Sequence, residues 1–298
     1  MQFNKNATTI DEQIAILKAR GLLISDENKA KSYLSNISYY RLSAYMLPFQ
    51  RYNDPNHSFM PNVTFENILN LYVFDRQLRL LIFDEIERIE IAFRCQVIYQ
   101  YSLLNGSNWY EEQKHFYNSV QFKYFLEHFN IELKQSKEVF IQHYKAKYSN
   151  PVNPPAWMSL EILSFGQLSK MFKNLRTSTQ KKEVGNHFYI HHQVLDSWME
   201  SLTYIRNLCA HHSRIWNRTI TVKPTIPNYT KQIWLDKNLT YSPDKISAVL
   251  ATLNYLIKTI NPKSSFSSKL KKLISEFNEV NYRSMGLPEG WESDKFWN

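Results

Sequence analysis

Apolar residues recur at three- and four-residue steps through most of the chain, the period of one face of an α-helix. The longest such run is Ile68, Leu71, Tyr72, Leu78, Ile82, Ile86, Ile89, Phe93 and Val97. Neither Gly nor Pro interrupts Val63 to Leu104, so the spacing predicts one long helix there, or two nearly continuous ones. Glu85, Arg88 and Arg94 fall on its other face. Upstream, Thr9-Ile10-Asp11-Glu12 reads as a capping box opening a helix to about Arg20, with Gly21 as its stop. A second helix is predicted from beyond Ser25 to about Leu34, and the block Tyr39 to Tyr45 follows before Pro48. Asn53 to Pro61 carries most of the turn chemistry. Helical pattern resumes after Asn108 and runs to about Tyr148, where Pro151, Pro154 and Pro155 break it. Trp157 to Leu175 reads as a helix bent at Gly166, and Gln193 to Arg218 as another. Pro224 and Pro227 close that region. A further helix is predicted over roughly Pro243 to Thr259, ahead of an aromatic tail.

Composition sharpens the fold class. The chain holds only six glycines in 298 residues, far under the usual share of ~7%. Hairpins, βα turns and phosphate-cradling loops need φ > 0 and have little to work with. The expected fold is all-α: a multi-helix bundle with additional N- and C-terminal helices. Residues 1–62, 63–235 and 236–298 are read as successive regions of one compact unit. Hydrophobic residues at 43% and aromatic residues at 15% can bury a sizeable core, which excludes whole-chain disorder. No apolar run approaches the ~18 residues of a membrane span. The N-terminus, Met1-Gln2-Phe3-Asn4-Lys5-Asn6, is polar and no signal-peptide core follows. Cys95 and Cys209 match no metal spacing, which suits a reducing, cytoplasmic setting. The net charge of +9 suits a polyanionic partner.

That charge is concentrated. Residues 201–235 hold five Lys or Arg and no Asp or Glu, and residues 162–182 hold five more, again without an acid. On a wheel of ~100° per residue, Leu195, Trp198, Leu202, Ile205, Cys209, His212 and Trp216 form one stripe, expected to be core. Asn207, His211, Arg214 and Arg218 form a second, polar stripe headed by Glu200. His212 is thereby expected to be a packed, neutral histidine, and Cys209 a core residue rather than a nucleophile. His211 stands instead in a row of amide and guanidinium groups. Histidine titrates near neutral pH, so it suits proton transfer at a phosphate.

The string Arg206-Asn207-Leu208-Cys209-Ala210-His211-His212, continuing through Arg214, Trp216, Asn217 and Arg218, resembles the Abi-type abortive-infection proteins (AbiD/AbiF-like). Its Arg206-Asn207-x-x-x-His211 core resembles the R-x4-H signature of the HEPN superfamily. Three further blocks are similar to that family, in the expected order: Ser38 to Tyr45 with Pro48-Phe49, Leu71 to Glu90, and Pro154 to Gly166. One departure is visible: Ser38 stands where the resemblance leads one to expect glycine. The resemblance implies a HEPN-like helical bundle over 63–235 and a metal-independent endoribonuclease acting in phage defence as a toxin-like factor. It also implies a small structured RNA as regulator.

The residues support such chemistry on their own account. RNA is cut when its 2′-OH attacks the adjacent phosphorus, which requires a proton carrier and a fixed cation. His211 is the candidate for the first and Arg206 for the second. Asn207 orients His211 or the phosphate, or serves the helix alone. Arg214, Arg218 and Asn217 are candidates for holding RNA. Five steps of ~100° leave Arg206 and His211 ~140° apart around the helix axis, so a two-fold homodimer is expected to build one cleft from two motifs. Glu90 is a candidate orienting group for Arg206 or His211. Glu87 and Glu90 otherwise read as an exposed ion-pair face with Arg88 and Arg94. Tyr39, Tyr40 and Tyr45 are read as core rather than base-stacking. His187, His191 and His192 match no metal triad, and no metal or other cofactor is expected. Two alternatives remain: a non-catalytic RNA-binding module using the same basic face, and a DNA-binding regulator through residues 10–34, DNA being the less expected partner.

Overall fold

The capping box at Thr9 is formed. Thr9 Oγ1 accepts from the Glu12 N–H at 3.2 Å, and the Glu12 carboxylate accepts from the Thr9 N–H at 2.7 Å. These bonds satisfy donors that a helix start leaves free. They open α1 (Ile10–Ala19), which stops at Gly21 with φ 90°. The structure is a computed structural model that describes residues 6–298; Met1 to Lys5, part of the polar N-terminus read above, lie outside the described residues. Among the described residues there are twelve α-helices, no β-strand, and no helix long and apolar enough to cross a membrane. The all-α expectation holds.

Two compact units can be distinguished, residues 6–78 with 272–281, and 79–271 with 282–298. In the first, α2 (Glu27–Ile37) is N-capped by Asp26, and α3 (Tyr39–Met46) follows after Ser38 alone. The start of α4 (Phe65–Asn105) completes its helices, together with the end of α12 (Phe266–Glu276). Tyr45 is buried and its hydroxyl donates to Asp75 at 2.7 Å, while its ring meets Tyr72 edge-on at 5.2 Å. Phe74 packs on Phe277 at 5.7 Å. Of the N-terminal tyrosines, Tyr45 is core as expected, whereas Tyr40 is 89% exposed.

In the second unit α4 continues to Asn105 as one long helix, the first of the two readings that its unbroken period allows. Its polar face is less exposed than expected. Glu85 is 1% and Arg94 9% exposed. The predicted stretch from Asn108 to Tyr148 resolves into two short 3-10 turns, α5 (Ser119–Gln135) and α6 (Val139–Lys147). Trp157 to Leu175 is likewise not one bent helix. It is α7 (Ala156–Ser159), a 3-10 turn, and α8 (Phe165–Asn174). Ser164 breaks it by forming a capping box with Gln167. Three helices are not read as individual segments in the sequence: α3, α9 (Thr179–His187) and α12.

The core of this unit is built on α10 (His192–Ala210), which packs against α8, α9 and α11 (Ile246–Ile260). Every residue of α11 from Ile246 to Ile257 is buried, so this helix is enclosed on all sides. Trp198 of α10 stacks on Trp234 at 5.6 Å and meets Tyr255 of α11 at 5.4 Å, and its indole N–H donates to the Thr225 carbonyl at 2.8 Å.

Candidate functional site

Leu195, Trp198, Leu202, Ile205 and Cys209 are buried along one side of α10, as the wheel requires. The opposite side near its C-terminus carries Arg206, Asn207 and His211, all exposed. The helix does not run on to Arg218. It ends at Ala210, with His211 as its cap. The Ser213 N–H donates to the Leu208 carbonyl at 2.9 Å and the His212 N–H to Cys209 at 3.0 Å. These two bonds make a Schellman motif. Its left-handed position, where glycine is usual, is taken by His212 at φ 56°.

That turn corrects three expectations. It takes His212 off the core stripe, and the residue is exposed, not packed. It carries the chain off the helix axis, so Arg214 and Arg218 do not extend the Asn207–His211 stripe. It also separates Trp216 from the helical period. Trp216 is nonetheless buried, together with Ile215 and Ile220, and these apolar side chains anchor the segment after the turn. Arg214, Asn217 and Arg218 are half-buried there. The Asn217 side-chain carbonyl accepts from Lys245 at 3.1 Å, and Arg218 approaches the Arg214 carbonyl at 3.5 Å.

Arg206 lies with its guanidinium 5.7 Å from the centre of the Phe83 ring on α4, and it donates to the Asn207 side-chain oxygen at 3.4 Å. A cation over a ring face gains ~0.5–1 kcal/mol at an exposed site. Asn207 therefore sits with Arg206, and its backbone carbonyl accepts from the His211 N–H at 2.9 Å. Phe83 was not found by sequence reasoning. It is the partner that limits the arginine's freedom, and its one signal was its place on the outward side of α4.

Glu90 is engaged by Arg94 at 2.7 Å. Arg94 also donates to the Leu163 carbonyl at 2.7 Å and lies 3.7 Å from Glu161. Arg94 thus ties α4 to the turn before α8, and Glu90 is its partner on the same helix. Arg88 pairs with Asp84 at 3.2 Å. The basic run 162–182 is thinner than its count suggests. Lys181 is 3% exposed and bridges the α8 end to α10. It donates to the Leu175 and Lys173 carbonyls at 3.1 and 3.3 Å, and pairs with Asp196 at 3.1 Å. Lys173 pairs with Glu200 at 2.8 Å.

Near the start of α10, burial pushes the Asp196 carboxyl up to about 6, against the pull of Lys181, and holds the His192 imidazole down at about 4. Neither Asp196 Oδ1 nor His192 Nε2 has a hydrogen-bond partner. Among the described residues no group of three or more His, Cys, Asp or Glu is placed to hold a metal ion. A family model described as Abi-like protein matches residues 32–217, which include Arg206, Asn207 and His211. No curated protein and no solved structure matches the chain.

Proposed function

This chain belongs to the Abi-like protein family, and on that premise we propose that it is a metal-independent endoribonuclease of a bacterial abortive-infection system, built as a HEPN-type homodimer. The observation that carries the reading is the exposure of Arg206, Asn207 and His211 at the end of a helix whose opposite stripe is core. Nothing in the packing of α10 requires an arginine, an amide and a histidine at those places.

The chemistry follows from those groups. The 2′-oxygen of a ribose attacks the adjacent phosphorus while His211 takes its proton. The bond from phosphorus to the 5′-oxygen breaks, and that oxygen takes up a proton. The products are a 2′,3′-cyclic phosphate and a free 5′-hydroxyl. Arg206 holds the non-bridging oxygens as their charge grows, and Asn207 keeps it in place. A second copy of the motif across a two-fold axis supplies a second imidazole for the leaving group.

The test is cleavage by the purified chain in the presence of EDTA, with normal and 2′-deoxy-substituted RNA side by side. Only normal RNA is expected to be cut, leaving cyclic phosphate ends. His211→Ala is expected to lower the rate by ~10²-fold or more, the scale of general acid–base catalysis. Equal cutting of the deoxy substrate, or an active His211→Ala variant, refutes the ribonuclease reading.

A further inference from the structure

A cleft of about 410 Å³ opens at the α9–α10 junction, beside His191 at the end of α10 remote from His211. That volume lies in the range of small-molecule sites, ~300–1,000 Å³. Ile190 and Val194 give it an apolar floor, and around them stand Tyr189, Tyr229, Asn186, Asn228, His191 and Lys231. None of its lining residues is acidic.

The tyrosines are displayed rather than packed. Tyr189 is 45% and Tyr229 77% exposed. Tyr189 has φ 54°, a left-handed conformation that a bulky residue seldom adopts and that persists only where its surroundings impose it. Here they do. The Tyr189 carbonyl accepts from the Tyr255 hydroxyl at 2.8 Å, its N–H donates to Asn186 at 3.0 Å, and the Ile190 N–H donates to Gly185 at 3.0 Å. A Cβ on Gly185 would come within 2.7 Å of the Ile190 carbonyl oxygen. The junction is thus drawn tight around a strained residue that lines the cleft.

We propose that this cleft binds one unpaired nucleotide, with its base stacked on the tyrosine rings and its phosphate against Lys231 and His191. Aromatic faces accept any base, and amides such as Asn186 and Asn228 pair with base edges. His191 and Arg206 lie fifteen residues apart along α10, ~22 Å at the helical rise. A strand cut at Arg206 and His211 would therefore be gripped a few nucleotides away. The choice of a strand over a free nucleotide rests on the ribonuclease reading; the chemistry of the cleft does not.

Two titrations test this on the full chain and on Tyr229→Ala, whose side chain is exposed enough to remove without unfolding. The first measures binding of a single-stranded RNA oligonucleotide and of the same sequence as a duplex. Tyr229→Ala is expected to weaken the single strand ~10-fold or more, the scale of one stacked base, and to leave the duplex unchanged. Lys231→Glu is expected to weaken the single strand as well. The second follows the tyrosine NMR signals as adenosine 5′-monophosphate is added. Shifts in the native chain, absent in Tyr229→Ala, support the cleft even if the chain cuts no RNA. Stronger binding of the oligonucleotide than of the monophosphate assigns the site to a strand, and the reverse assigns it to a free nucleotide. Unchanged single-strand binding in Tyr229→Ala, with no monophosphate shifts in the native chain, overturns the proposal while leaving the ribonuclease reading standing. Equal loss on single strand and duplex also overturns it.

Discussion

Ser38 holds φ 70° and ψ 145°, beside a region that glycine alone enters freely. The sequence hinted at this, since glycine was expected there by resemblance. The serine does return something: its hydroxyl oxygen accepts from the Arg41 N–H at 3.3 Å and caps α3. Glycine at a cap is worse than serine by only a few tenths of a kcal/mol, whereas the strain costs ~1–3 kcal/mol. Ser38→Gly is therefore expected to raise the stability by about 1 kcal/mol, read as a higher urea midpoint at unchanged slope. A lower midpoint contradicts the strain argument. His192 and Asp196 make a second case at this scale. Native His192 stays neutral down to about pH 4, while its unfolded counterpart takes a proton near 6.5, so its contribution is lost as pH falls through that window. Native Asp196 takes its proton near pH 6 and its unfolded counterpart only near 3.8, so its contribution is gained on acidification. Between pH 6 and 4 the two oppose each other. Relative to the native chain, Asp196→Asn is expected to lose stability on acidification by up to about 1.4 kcal/mol per pH unit, and His192→Gln to gain it. Urea unfolding at two pH values decides it, and equal signs for the two variants refute the assignment. Neither burial was legible beforehand, because a short-range pattern does not tell a histidine or an aspartate which helix will cover it.

Among the helices, those with an unbroken apolar period were read well and their ends less so. α4 has no Gly or Pro and a clear stripe, which leaves one helix or two nearly continuous ones, and the structure has one. α10 was extended to Arg218 because no glycine marks its end. His212 fills that role, and histidine is among the few residues that enter the left-handed region with modest penalty. His212→Gly is expected to be stabilising by up to about 1 kcal/mol, not destabilising as a core position would be. Thermal denaturation distinguishes the two. The break before α8 did carry a signal, Ser164-x-x-Gln167, as did the apolar steps Phe266, Leu270, Leu273 and Ile274 of α12. α9 carried almost none. Its buried residues are Lys181, Val184 and Gly185, and a helix held by a lysine and a close glycine contact has no stripe to read. That contact is itself testable. Gly185→Ala must push α9 from the start of α10, and a loss of about 1–3 kcal/mol is expected, the range for overpacked sites. Stability unchanged in urea shows the junction to be looser than drawn.

For the molecule as a whole, a net charge of +9 suits a polyanionic partner, and the structure sets how much of that charge is exposed. Lys181 is buried in an ion pair and Lys173 is paired with Glu200. Lys170, Arg176 and Lys182 remain exposed in the same run, and Arg206 at the end of α10. If RNA is the partner, affinity should fall linearly with log salt, each neutralised phosphate adding about −0.7 to −0.9 to the slope. Arg206→Ala is expected to flatten that slope by about one phosphate's worth, and Lys181→Met to leave it unchanged. A slope that responds to Lys181 instead makes the buried lysine part of the surface after all. The division into units was not legible, since its border falls within α4 where neither glycine nor proline marks it.

The interleaving of the two units along the chain has a consequence for synthesis. Phe74 is made 203 residues before its partner Phe277. Phe296 and Trp297 are buried in the unit that begins at Arg79. At ~5–20 residues per second, roughly 10–40 s pass between Leu78 and Phe277 on the ribosome. Through that interval neither unit can close. The segment bearing Arg206 and His211 leaves the ribosome before the residues that finish its core. Each unit thus waits for a segment within residues 272–298, and α10 is synthesised well before the stretch that completes the unit around it.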